Sequence, residues 1–588
     1  MTTVESGAEG VRWDLTPLAP SEQAMKERLE AGAADAAAFV ERWPVEAIAT
    51  IDPPALATLL GELSDLRAGR REGEWWAFLL RWSEAENPAV ADINAWVDER
   101  LPRFDEAIRH FELAWIAIPD EQAHELAERD EVAADRHYLL AVRRFAPFVL
   151  SPAEERALSV RDASARTAWA GLRDRTLGAL TTRFDDGEGE REWALAELES
   201  TRRSHRDRDV RRRASAATRE LVLPALPVLA QCYDAIVADR LALDGLRGYG
   251  DPMAERNLEN EIDARVVEEL MSAAERHVEV GHRWFEAKAR LLGIDRLDAI
   301  DFSASAVEVA PLSWEQGRRA AVEVFAGLSP RLGDVAERFF TEARVDAEPR
   351  RGKPYGAFAV WPSTRVPGYV LLSWAGELGD LGALVHELGH GTHYGLAAEA
   401  QTDNSLEPGL TVSEIPSTFA ELLLVDHLLE TDPALGRAML ARTLDQMVLV
   451  AFTAVALARY EQRAYAARAE GLALTPERLN ELCGAEVGKV TADVVTDDEG
   501  MRPLMWAFMP HFVHERFYTY AYTFALLVAA GLVRRSREDG FAACYEEFLS
   551  RGASGSPEEL LAILGVDLGD PGIWDDGFAL LGEWIDRL

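Results

Sequence analysis

The chain has 588 residues, room for roughly three or four domain-sized units, and its 48 % hydrophobic content excludes a disordered protein. With 62 Lys and Arg against 101 Asp and Glu, the net charge is −39, which argues against nucleic acid and anionic membrane surfaces as partners. Three cysteines (Cys232, Cys483 and Cys544) stand far apart without a CxxC pair, which excludes a disulfide framework and a cysteine-rich zinc module.

The opening stretch, MTTVESGAEGVRWDL, has no basic head and no apolar core, so no signal peptide is expected, and a cytoplasmic location is. Most of the remaining chain reads as helix. Ala, Leu, Glu and Arg dominate, and apolar residues recur at three- and four-residue steps. Helix starts are marked at Ser151-Pro152-Ala153-Glu154, Thr475-Pro476-Glu477 and Ser556-Pro557-Glu558-Glu559, each a hydroxyl cap followed by proline and a carboxylate. A basic cluster (Arg202, Arg203, His205, Arg206, Arg208 and Arg211 to Arg213) has Asp207 and Asp209 inside it and lacks interleaved aromatics. It reads as a solvated, salt-bridged helix face.

Residues 355–361 (YGAFAVW) and 369–374 (YVLLSW) have strand character, and the turn-rich PSTRVPG lies between them. A β-hairpin is expected there. Its edge strand could hold an extended peptide through backbone hydrogen bonds.

Leu384-Val-His386-Glu387-Leu-Gly-His390 is the sharpest signal. A helix turns about 100° per residue, so His386 and His390 project from one face and can hold one metal ion. Glu387 is then placed to reach a water beside the metal and not the metal itself. Chance would produce an HExxH match in such a chain roughly 2 % of the time. Gly389, Gly391 and Gly395 crowd the same helix although each costs ~1 kcal/mol against alanine, which implies close approach of another backbone or a substrate. His393 is assigned to packing or to support of a ligand, because a fourth ligand would close the site.

A catalytic zinc needs three protein ligands and an open position. Downstream, TVSEIPSTFAELLL begins a second helix, with Ser413 as its expected cap and Pro416 in its first turn. Glu414 and Glu421 are seven residues apart and share a face. Glu414 is assigned as third ligand and Glu421 as an acceptor that orients a ligand imidazole. The apolar runs Met447–Ala458 and Ala525–Val533 fall short of the ~20 residues of a membrane span. Between them, His511-Phe-Val-His514-Glu-Arg-Phe-Tyr518-Thr-Tyr520-Ala-Tyr522 concentrates imidazole and phenol groups, donors suited to an oxyanion.

The HELGH helix, the EIPSTFAE helix and the HFVHERFYTYAY segment together resemble the M3 metallopeptidases, and most closely their oligoendopeptidase F branch. Trp13-Asp14-Leu15, the Asp207–Arg213 stretch and the GAFAVW…GYVLLSW hairpin extend the resemblance, weakly before about residue 200 and strongly over 350–525. It implies a mainly α, two-halved peptidase fold around a deep channel, with the small hairpin beside the HExxH helix. It also implies an N-terminal helical region over 1–195 and a catalytic region over 196–588. By motif position His386, His390 and Glu414 match the ligands of one zinc per chain, and Glu387 matches the catalytic base. Tyr520 and His511, then Tyr522 and His514, match the transition-state donors. Trp374 stands where the family pattern has a polar residue, which implies altered substrate contacts.

The function implied is a zinc-dependent endopeptidase acting on short unstructured peptides, with neither nucleic acid nor membrane as partner. Two alternatives belong beside it. One is a zinc carboxypeptidase of similar helical fold, whose third glutamate usually sits in a His-Glu-Ser context, where this chain has Ser413-Glu414-Ile415. The other is a peptide-binding protein without turnover. Histidine and carboxylate ligands also accept cobalt or manganese. No motif in the chain specifies an oligomeric state.

Overall fold

Each marked cap opens a helix. The Ser151 hydroxyl donates to Glu154 (2.6 Å) at the start of Pro152–Asp162. Thr475 accepts from the Arg478 amide at the start of Pro476–Thr491, and Ser556 and Glu559 cap each other's amides at the start of Pro557–Ile563. The computed structural model describes residues 7–588 apart from 85–86, 163, 308, 351–352 and 354–355. Tyr355, the expected first residue of the hairpin, lies outside the described residues.

The chain is mainly α-helical, with three small sheets among the described residues. It forms two compact units that cut across the 195/196 division. One combines Met1–Ala146, Ala310–His427 and Leu532–Leu568; the other combines Pro147–Val309, Leu428–Gly531 and Gly569–Leu588.

In the first unit, helices Glu22–Arg42, Pro53–Ser83 and Leu101–Ile116 bury one apolar stripe each. Leu29, Leu63, Phe104 and Trp115 form a core that continues into Val360, Tyr369 and Leu371 of the hairpin. Burial of each such side chain contributes about 1.5–3 kcal/mol. The hairpin is present as Phe358–Val360 antiparallel to Tyr369–Leu371, with Ala359 opposite Val370. Val345–Asp346 adds a third, parallel strand on the far side of Tyr369–Leu371, which leaves Phe358–Val360 as an edge. The Trp13-Asp14-Leu15 segment is pinned beside this sheet. The Trp13 ring meets Tyr369 edge-on at 6.2 Å, and the Asp14 amide donates to the Ala343 carbonyl at 2.7 Å.

In the second unit much of the basic cluster is ion-paired, Arg202 and Arg203 with Glu199 and Arg212 with Asp209, but it is not wholly solvated. Arg211 is buried, and it and Arg208 converge on the buried carboxylate of Asp301 (2.8 and 2.7 Å). Two helical stretches of this unit, Arg208–Arg247 and Pro433–Ala469, contain windows apolar enough to cross a membrane, with mean hydropathy 1.7 and 1.5. Half of the first window and two thirds of the second are buried inside the protein, so core packing accounts for their composition.

Within the second stretch, Leu449–Thr453 winds as a π-turn. Hydroxyls meet carbonyls in and just after this turn. Thr523 donates to Val450 (2.8 Å) and Thr519 to Ala454 (3.0 Å).

Candidate metal centre

The HExxH motif lies in the middle of helix Leu378–Ala400, and Glu414 in helix Leu410–Thr431. The second helix begins four residues earlier than its sequence suggests. Ser413 is therefore not its cap; its hydroxyl donates to the Leu410 carbonyl at 3.0 Å. Pro416 lies inside the helix, where it removes an i→i−4 hydrogen bond.

The three glycines have separate causes. A Cβ on Gly389 would stand 2.5 Å from Ser417 Cα and 2.8 Å from the Pro416 carbonyl oxygen. The two helices therefore touch backbone to backbone at this point. Gly391 makes room for the Phe339 ring and Gly395 for Trp361 and Val335. The neighbour these glycines anticipate is the protein itself.

That close crossing brings the predicted ligands together. One ligand atom each from His386, His390 and Glu414 lies within 4.8 Å of the others. Glu414 Oε2 is 3.5 Å from His386 Nε2 and 3.7 Å from His390 Nε2. A tetrahedral ion with bonds of about 2.0–2.2 Å spaces its ligands by about 3.4 Å, so the donor set fits a metal of zinc's size. His386 Nδ1 donates to Glu421 Oε1 at 2.5 Å, which fixes the tautomer that turns Nε2 toward Glu414. The Ser417 hydroxyl donates to the Glu414 backbone carbonyl at 3.0 Å and also lies 3.3 Å from the Glu414 carboxylate.

The electrostatics arise from burial and charge. At His386, burial opposes protonation, but hydrogen bonds to Glu414 and Glu421 outweigh it and carry the pKa well above the usual imidazole range. Burial and the His386 charge push His390 down to about 4. Burial would raise Glu414, yet the His386 hydrogen bond and both imidazole charges hold it down to about 2. Glu387 is buried and pushed up to about 7, because desolvation outweighs the opposing charge of His386. The backbone of Ala359, on the edge strand, also stabilises its carboxylate. His393 is not among the converging ligands. It is buried between the rings of Tyr394 (5.5 Å) and Phe548 (5.9 Å), and burial holds it neutral.

Trp374 is a correction. It is fully buried, edge-on to Trp314 at 5.4 Å and lying over Gly317, so it is a core residue and not a substrate contact.

The second unit separates the four expected donors. Tyr520, the first choice from sequence, is fully buried; its hydroxyl donates to Asn257 (2.8 Å) and accepts from Asn260 (2.9 Å). With both functions engaged, it anchors the segment instead of presenting a donor. His514 is exposed and pairs with Asp174 at 2.9 Å. His511 and Tyr522 are half-buried neighbours, with Nε2 and the hydroxyl 3.4 Å apart. Tyr518, not singled out from sequence, packs its ring 4.9 Å from His511 and 5.2 Å from Tyr522.

This trio sits on a rigidly held turn. Phe517 has φ +52°, in the left-handed region a non-glycine residue avoids. Its amide donates to the buried Glu461 carboxyl (2.9 Å), and Arg516 beside it bonds Asp244 (2.7 and 2.8 Å) and Glu255 (2.7 Å). No local signal marks Asn257, Asn260 or Glu461, because their partners are distant in the chain.

Burial pushes Glu461 from the ordinary 4.5 up to about 8, against the pull of the Phe517 amide and three arginines. The folded state keeps a proton that the unfolded chain releases, so stability falls as pH rises from about 4.5 to about 8 and then levels. Glu461→Gln should remove that slope. The variant should match the parent near pH 5 and exceed it by a few kcal/mol at pH 9, since each tenfold change in proton affinity is worth about 1.4 kcal/mol. Urea unfolding midpoints across pH measure this, and parallel curves for the two proteins would refute it.

Comparison with known proteins places these features in context. The model of peptidase family M3 matches residues 321–580, and that of oligopeptidase F matches residues 115–181. An oligoendopeptidase F homolog of Lactococcus lactis is 29 % identical over 350 residues, covering 58 % of this chain and 57 % of that protein. Group B oligopeptidase PepB of Streptococcus agalactiae is 28 % identical over 335 residues, covering 56 % and 55 %. The chain thus matches a little over half the length of these curated relatives. A solved structure from Chlamydophila abortus has a TM-score of 0.84 at 21 % identity, over 100 % of this chain and 98 % of that one. The oligoendopeptidase F structure from Enterococcus faecium has a TM-score of 0.69 at 18 % identity, over 97 % and 99 %. These structural likenesses establish the fold.

Proposed function

Because the chain belongs to the M3 peptidases, in their oligoendopeptidase F branch, we propose that it is a zinc-dependent endopeptidase that hydrolyses short unstructured peptides. The observation that carries this reading is the convergence of His386, His390 and Glu414 within 4.8 Å, with buried Glu387 next to the first of them. Bound by these three residues, the ion supplies Lewis-acid polarisation of the scissile carbonyl and lowers the pKa of a water toward ~7.

The chain's own groups do the rest. Glu387 takes the proton of the attacking water and passes it to the leaving amine. Its raised pKa matches that task, since a base poised near neutrality both accepts and returns a proton. Glu421 keeps the His386 ring oriented. His511 and Tyr522, with Tyr518, supply the imidazole and phenol donors for the developing oxyanion. Among the described residues Phe358–Val360 is an edge strand, and its main-chain groups other than the Ala359 amide, which Glu387 engages, are open to an extended peptide, which suits substrates without fixed structure.

Metal analysis joined to mass-spectrometric digestion of a peptide library tests the proposal. One zinc per chain is expected, with internal cleavage that stops on chelation and returns with zinc. His386→Ala should lose the metal, and stoichiometric zinc in that variant would refute the ligand set. Peptides with free and amidated C-termini should be cut alike; release of C-terminal residues alone would replace the endopeptidase with a carboxypeptidase. Peptide binding with zinc present and no cleavage would remove the enzyme altogether.

A further inference from the structure

In the second unit, Glu461 lies on helix Ala454–Ala469 and is fully buried. A carboxyl is costly in such a place unless a specific contact requires it. Here the contact is a single one. Oε2 accepts the Phe517 N–H at 2.9 Å, and Oε1 has no hydrogen-bond partner among the described residues. Tyr460 and Tyr465 of the same helix are also fully buried, with rings 5.1 Å from Phe512 and 5.0 Å from Phe517. Among these rings an apolar side chain would fill the position without a desolvation cost. The carboxyl therefore serves the Phe517 amide and not the core.

That amide belongs to the residue with φ +52°, a conformation that a buried aromatic residue keeps only where its surroundings impose it. Two hydroxyls tie the residues that follow to the same helical stretch, Thr519 to the Ala454 carbonyl (3.0 Å) and Thr523 to the Val450 carbonyl (2.8 Å). Residues 517, 519 and 523 are thus each bonded to a residue between 450 and 461. Tyr518 and Tyr522 stand one position before the two threonines and take the neighbouring face. Their rings are 5.2 Å apart, and His511 packs 4.9 Å from the first and 5.9 Å from the second. Rotating Phe517 out of the left-handed region redirects the chain between His511 and Tyr518, and so parts them.

We propose that Glu461 is the positioning residue of the His511, Tyr518 and Tyr522 trio: by accepting the Phe517 N–H it fixes the left-handed turn that brings the three rings together. The consequence for catalysis rests on the reading of these rings as oxyanion donors; their placement does not. The turn requires an acceptor and not a charge, so an amide replaces the carboxyl, whereas a thioether, a weak acceptor, does not.

The test compares Glu461→Gln with Glu461→Met in the full-length, zinc-loaded protein, since the two side chains are close in size and only glutamine keeps a carbonyl oxygen. Ring nitrogen spectra of histidine-labelled protein read the placement of His511, whose signal is assigned by its loss in His511→Gln. Tyr522→Phe, which removes the hydroxyl 3.4 Å from His511 Nε2, shows how a lost contact reads. Glu461→Met should displace the His511 resonance as Tyr522→Phe does. It should also lower kcat on a quenched peptide on the order of 10²-fold, the effect of misplacing a group by about 1 Å, with KM and zinc content unchanged. Glu461→Gln should keep the parental resonance and the parental kcat. A parental His511 resonance in Glu461→Met, or a displaced one in Glu461→Gln, overturns the proposal, and the glutamine variant decides alone where the methionine variant does not fold. A displaced resonance with parental kcat in Glu461→Met upholds the placement and instead removes the three rings from the donor role.

Discussion

Glu387→Gln is expected to lower kcat on a quenched peptide by about 10²–10⁴-fold while zinc content stays at one per chain. The substitution keeps the size and the hydrogen-bonding shape of the side chain and removes only its ability to take a proton. Glu387 is not among the three converging ligand atoms, so the geometry leaves the metal in place. Because the parent carboxyl is buried, the neutral amide also avoids a desolvation cost, and the variant should unfold at or above the parental temperature. Turnover at the parental rate would remove Glu387 from the role of base. Loss of zinc along with activity would instead make it a structural support of the ligands.

Gly389→Ala should be the most damaging small substitution near the site. Propensity alone predicts a gain of ~1 kcal/mol from replacing a mid-helix glycine. Sterics reverse the sign, because the new methyl would lie 2.5 Å from Ser417 Cα, 2.8 Å from the Pro416 carbonyl oxygen and 2.9 Å from the Ser417 amide nitrogen. All three are backbone atoms and cannot rotate away. The helices must separate, at a cost of about 1–3 kcal/mol for an overpacked core. Glu414, two residues before Pro416, moves with its helix away from the imidazole pair. Zinc affinity, read by competition with a chelator, should fall at least as far as on loss of a ligand's supporting contact, about 10–100-fold. Gly395→Ala is the control, since its methyl would meet only Trp361 and Val335 side chains at 3.2 Å, away from the ligands. Parental zinc affinity with a raised melting temperature in Gly389→Ala would refute the close crossing.

The HExxH pair is legible in the sequence because helix geometry is local: residues four apart share a face whatever the rest of the chain does. The hairpin is legible for the same kind of reason, through alternation and turn residues, and its strands pair as the pattern implies. The helix start at Ser413 is misplaced by sequence because a proline usually marks a first turn. Here tight packing against Gly389 accompanies a proline inside the helix. Trp374 is misread because a motif position specifies where a residue stands in the chain and not which way it faces; Trp314 and Gly317 make it core.

By itself, the amino-acid order determined the helical class, the edge hairpin, the two histidines with their neighbouring base, and Glu414 and Glu421 as the candidate carboxylates. Only the tertiary structure decided that Glu414 lies 3.5 and 3.7 Å from the imidazoles and that Glu421 accepts the His386 N–H. It alone decided that Tyr520 is consumed by Asn257 and Asn260, 263 and 260 residues away in the chain, while His511 and Tyr522 are left side by side. The reason is the range of the forces involved. Periodicity and capping act over a few residues and are written in the local sequence, whereas hydrogen-bond partners and backbone contacts arise where distant segments pack.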